Sequence, residues 1–92
     1  MILSIRHKGL KAFYERGVTK GVKQDHVRKL RLIMGALGVA ETPDDMAQPA
    51  FKLHPLKGEL SGHWSVWLSG NWRITWRFVG RNVELVDYQD YH

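Results

Sequence analysis

From Trp64 onward the chain alternates apolar and polar residues with period two, interrupted only by short turn segments, so this half must fold as hairpin-linked antiparallel strands. In Trp64–Leu68, the residues Trp64, Val66 and Leu68 share one face, and Ser65 and Trp67 the other. Ser69-Gly70-Asn71 is a turn. Trp72, Ile74, Trp76 and Phe78 then form the apolar face of the next strand, with Arg73, Thr75 and Arg77 opposite. Gly80-Arg81-Asn82 reverses the chain again, and Val83–Tyr88 is the last strand, leading into Gln89-Asp90-Tyr91-His92.

The first half follows a different period. Ile2–Arg6 reads as a short opening strand and Lys8–Glu15 as a helix closed by Gly17. Between Gln24 and Gly38, Val27, Leu30, Ile33, Met34 and Leu37 recur at helical spacing, with Arg28, Lys29 and Arg31 off the stripe. Thr42-Pro43-Asp44-Asp45 supplies a cap, an N1 proline and early acids for a single turn before Pro49. At 92 residues the chain cannot divide its apolar side chains between two cores, so residues 1–92 form one domain. The faces predict a two-layer α+β domain, with N-terminal helices packed on the Trp72/Ile74/Trp76/Phe78 side of a twisted antiparallel sheet. The other side stays partly open.

With no cysteine, neither a disulfide nor a thiolate site is available, which fits a reducing compartment. The opening residues carry charge too early for a signal or membrane segment, so a cytoplasmic location is expected. Net charge is +5, which favours encounter with a polyanion without saying which one.

A metal-free ribonuclease has to deprotonate a 2′-hydroxyl, stabilise a phosphorane and protonate the leaving 5′-oxygen. The sequence offers imidazoles at His54 and His92, guanidiniums at Arg73 and Arg77, an ammonium at Lys57 and a phenol at Tyr91. Histidine suits proton transfer because its ordinary pKa of about 6.5 lies near working pH. Arginine suits a phosphate because its planar fork grips two oxygens. Plainer roles exist for each: His54 before Pro55 as a strand end, Arg73 and Arg77 as solubilising charges, Tyr88 and Tyr91 as rim aromatics, His92 as a frayed terminus. No HxxH, HExxH or acidic cluster is present, so neither a metal nor another cofactor is expected.

Four segments in register go further: Lys52-Leu53-His54-Pro55-Leu56-Lys57-Gly58, Gly62-His63-Trp64-Ser65-Val66, Asn71-Trp72-Arg73-Ile74 and Asp87-Tyr88-Gln89-Asp90-Tyr91-His92. Together with Ile5–Lys11 and Glu15-Arg16-Gly17, they resemble the HigB toxins of the RelE superfamily over essentially the whole chain. The resemblance implies a RelE-like fold and an mRNA interferase that cuts the codon in the ribosomal A site. It also implies a HigA-like helix-turn-helix antitoxin, through which alone the pair would reach operator DNA. By the same resemblance, His54 and His92 form the proton-transfer pair and Arg73 the phosphate clamp. Lys57 assists electrostatically, while Asp90 and Tyr91 orient the tail and the RNA. Arg77 and Asn71 complete the expected RNA contacts, and no membrane partner is implied. Two rival readings stand beside this one: a toxin of the same fold directed at gyrase, and a non-catalytic RNA- or ribosome-binding module stacking bases on Trp67 or Tyr91.

Overall fold

The computed structural model describes residues 1–90, and its elements follow from local chemistry in both halves. Helix α1 spans Lys8–Arg16. It opens where Nδ1 of His7 accepts the Leu10 amide at 3.0 Å, and it closes at Gly17, whose φ of 71° only glycine adopts without strain. The Gly17 and Val18 amides return to the Phe13 and Ala12 carbonyls, satisfying the helix end in a Schellman turn. A 3-10 turn at Gln24–His26 leads into α2, Val27–Val39, which buries Leu30, Ile33, Met34 and Leu37 of the expected stripe and leaves its first member, Val27, partly buried. The turn expected after Thr42 is a 3-10 turn, Pro43–Met46, with a capping box between Thr42 and Asp45.

Four strands follow in spatial order: β1 (His54–Pro55), β2 (His63–Ser69), β3 (Trp72–Val79) and β4 (Asn82–Asp90), each antiparallel to its neighbour. Ile74 and Trp76 are fully buried, with Trp72 and Phe78 half-buried beside them. They pack with Val66, Leu68, Val83 and Val86 against Leu10 and Phe13 of α1 and the buried stripe of α2. The expected two-layer α+β architecture is therefore present, with burial of large apolar side chains as its main stabilising term.

Three expectations need correction. Residues Ile2–Arg6 make only two isolated parallel bridges, Ile2 to Val83 and Ile5 to Val86, rather than a regular strand. The cause lies in β4: the register shifts between Thr75 and Arg77, leaving an extra residue near Leu85, whose φ is 55°. A continuous ladder cannot run past such a bulge, and the Leu85 amide bonds instead to Oγ of Ser4 at 2.9 Å. Second, β4 runs past Tyr88, because Gln89 and Asp90 pair with Arg73 and Trp72. Third, Tyr88 is a core residue at 5% exposure, with its ring 4.7 Å from that of Trp72.

Candidate active site

Register decides which side chains meet on the sheet face turned away from the helices. Across β2 and β3, His63 opposes Arg77, Ser65 opposes Thr75, and Trp67 opposes Arg73. Across β3 and β4, Arg77 opposes Glu84, Thr75 opposes Asp87, and Arg73 opposes Gln89. His54 enters from β1, opposite Ser65. Directly opposed residues point to the same side, so imidazole, guanidinium and carboxylate groups gather on one surface. Its centre is closed: Ser65 and Thr75 are fully buried beneath the charged groups.

Of the expected residues, His54 and Arg73 meet there. Arg73 Nη1 lies 3.2 Å from His54 Nε2. A guanidinium N–H can only donate, so Nε2 accepts and the imidazole is neutral, with its proton on Nδ1. Nδ1 lies 3.4 Å from the Lys52 carbonyl, and Ser65 Oγ lies 3.4 Å from the ring nitrogens. His54 is exposed, so a substrate has access to the pair.

The other expected residues are distributed around this centre. Arg77 shares the face, but its Nε pairs with Glu84 across the strands, so part of its fork is already occupied. Asn71 is exposed in the turn before β3, two residues from Arg73, whereas Asp90 ends β4 opposite Trp72, so the register places it on the Trp72 side of the sheet rather than on the Arg73 face. Lys57 is exposed and precedes the turn Gly58–Leu60, two residues beyond β1. Tyr91 and His92 lie outside the described residues. No three metal-ligating side chains converge among the described residues.

Two groups lie outside the expected catalytic set, one of them around the Trp67 that the sequence offers for base stacking. His63 sits on the same face beside Arg77, and its Nδ1 is buried without a partner among the described residues. The other group gathers around Trp67, where the Lys29 and Lys52 ammoniums lie 4.4 and 4.2 Å from the indole centroid. The odd position of Trp67 in β2 signalled its face, but only the fold brings Lys29 from α2 to it.

Comparison with known proteins agrees with this architecture. The chain is 40% identical to the Endoribonuclease HigB of Proteus vulgaris, over the full length of both. Among solved structures it superposes on YafQ from E. coli with a TM-score of 0.66 at 17% identity, covering 98% of this chain and 91% of that one. The corresponding values for YoeB from Staphylococcus aureus are 0.61 and 15%, covering 99% and 94%. Those two likenesses establish the fold. Residues 3–92 match the HigB-like toxin family, the RelE-like toxins of type II toxin-antitoxin systems, and the chain belongs to that family, whose members are paired with an antitoxin.

Proposed function

We propose that the protein is a cytoplasmic endoribonuclease toxin that cleaves messenger RNA in the ribosomal A site by metal-free acid–base catalysis, and that a HigA-like helix-turn-helix antitoxin restrains it. The observation that carries this reading is the contact of the His54 imidazole with Arg73 on the accessible sheet face. The HigB relative, named an endoribonuclease, supports the choice of RNA as substrate.

The proposed sequence of events follows from donor and acceptor roles. A phosphodiester entering the site competes for the Arg73 guanidinium, which binds its oxygens and releases the lone pair on His54 Nε2. The freed nitrogen takes the proton of the 2′-hydroxyl, and the resulting oxyanion attacks the adjacent phosphorus. Arg73 stabilises the charge on the phosphorane as it forms. His92 is the proposed acid that protonates the departing 5′-oxygen, leaving a 2′,3′-cyclic phosphate and a 5′-hydroxyl. Tyr91 and Asp90 hold the tail and the strand, Asn71 contacts a base at the sheet edge, and Lys57 and Arg77 add positive potential.

Incubating the purified protein with programmed ribosomes and mapping the 5′ ends of the message tests the reading. Cleavage at the A-site codon with 5′-hydroxyl ends is expected, and an Arg73→Ala protein should cut about a hundredfold more slowly. Intact message, or equal cleavage by Arg73→Ala, rejects it.

A further inference from the structure

Two ammonium groups approach one indole on the same sheet face as the His54–Arg73 pair. Trp67 directly opposes Arg73 in the ladder, and its Nε1 donates to the Gly70 carbonyl at 2.9 Å, which fixes the ring. Lys29 reaches it from α2, donating to the Ala50 carbonyl at 2.8 Å and lying 3.5 Å from that of Leu68. Lys52 reaches it from the loop before β1, where its own backbone is left-handed at φ 48°.

This arrangement is costly by itself. Two like charges are held against one ring, and among the described residues no carboxylate forms an ion pair with either. Burial first, and the Lys52 charge second, lower the pKa of Lys29. A left-handed lysine adds backbone strain that a glycine would avoid. Cation–π attraction to Trp67 offsets part of the repulsion and also orients both groups. Carbonyl oxygens occupy donors on Lys29, whereas Lys52 is exposed with its ammonium open to an incoming anion.

We propose that Lys29, Lys52 and Trp67 form a second phosphate subsite, which holds the RNA phosphodiester neighbouring the one gripped by Arg73. The proposal rests on the nuclease reading above. Adjacency favours RNA over an acidic protein as the ligand: Trp67, the ring against which both lysines lie, directly opposes Arg73 in the ladder on the same face. A single strand crossing that face presents successive phosphates to Arg73 and then to the lysines. The strained Lys52 also carries the carbonyl that faces His54 Nδ1, so the same residue serves both positions.

The test uses the full-length protein and message on programmed ribosomes. Lys52→Gln keeps the aliphatic stem and removes the charge, with Lys52→Arg as the restoring variant. The KM of Lys52→Gln should rise about three- to tenfold with kcat little changed, and the salt slope should fall by about one. Lys52→Arg should restore both. A message carrying one neutral methylphosphonate linkage beside the cleaved bond should show the same loss with wild-type protein and no further loss with Lys52→Gln. Unchanged KM and salt slope in Lys52→Gln, or losses from variant and linkage that multiply, overturn the subsite while leaving the nuclease reading standing. Weakened antitoxin binding at unchanged KM also overturns it, because the lysines then serve a carboxylate surface. If wild-type protein leaves the unmodified message intact, the nuclease reading fails and the subsite fails with it.

Discussion

The Tyr88 hydroxyl lies 2.6 Å from Nδ1 of His26, a contact that ties the last strand to the start of the second helix. The Lys23 amide donates to the same hydroxyl at 3.2 Å, and Nε2 of His26 lies 2.6 Å from Ser69 Oγ. The phenol accepts from the Lys23 amide, and in the neutral tautomer protonated at Nε2 the imidazole accepts the phenol proton at Nδ1 and donates to Ser69. The neutral ring is thus satisfied at both nitrogens, at 2% exposure.

Stability should therefore depend on this one imidazole at mildly acid pH. Burial lowers the His26 pKa, outweighing the opposing pull of Asp25. Below the unfolded value of about 6.5, the unfolded chain binds a proton that the folded one refuses, so stability is complete above that pH and declines below it. The urea midpoint should fall between about pH 7.5 and pH 5.5, a window above most carboxylate titration. His26→Gln should flatten that fall, whatever its own stability. A wild-type midpoint constant across the window, or an equal decline in His26→Gln, rejects this role.

Catalysis should separate His54 from Arg77 although both occupy the same face. His54→Gln should lower kcat by about a hundredfold or more while leaving the urea midpoint nearly unchanged, since the ring is exposed. Arg77 is half exposed and already paired with Glu84, so Arg77→Ala should cost less than about 1 kcal/mol in stability and only a few-fold in KM. Steady-state cleavage with urea titration reads both quantities. Equal kcat losses for the two variants would reverse the assignment of the centre to His54.

Backbone packing gives a sharper stability test. A Cβ on Gly9 would lie 2.3 Å from the Gly21 carbonyl oxygen, so at this point α1 and the loop before α2 approach main chain to main chain. Alanine gains up to about 1 kcal/mol in helix propensity, but the displaced backbone should cost more, for a net loss of about 1–3 kcal/mol. Thermal unfolding of Gly9→Ala measures it, and a variant as stable as wild type would show that the loop yields freely.

The hairpins, both long helices and the His54–Arg73 pair were legible because each follows from local periodicity or from residue type at the matched segments. What the sequence concealed depends on long-range geometry. Leu85 looks like an ordinary strand residue, yet the bulge at this position lets Val83, Val86 and Tyr88 all point inward although period two cannot align them. The uneven spacing of those three apolar residues was the available sign. Lys29 falls off the apolar stripe of its helix, and nothing local indicates that it meets Trp67 on a strand 38 positions later. His26 hid for the opposite reason: a lone histidine at a helix start carries no mark of burial.

The bulge itself is held from outside the sheet. Ser4 accepts the Leu85 amide on its side chain at 2.9 Å and the Val86 amide on its carbonyl at 3.1 Å. A left-handed leucine costs on the order of 1–2 kcal/mol, so these two bonds help keep a conformation the residue would otherwise avoid. Without the bulge, every residue of β4 beyond it would turn to the other face, exchanging Asp87 and Gln89 for Val86 and Tyr88. Ser4→Ala removes only the side-chain bond and should cost about 1 kcal/mol, a modest loss because the site is exposed and water can replace the oxygen. Amide exchange measured by NMR should rise several-fold at Leu85 and remain near wild type at Thr75 in the ladder. Unchanged exchange at Leu85 would mean that the strand holds its own bulge and that the N-terminal segment merely lies beside it.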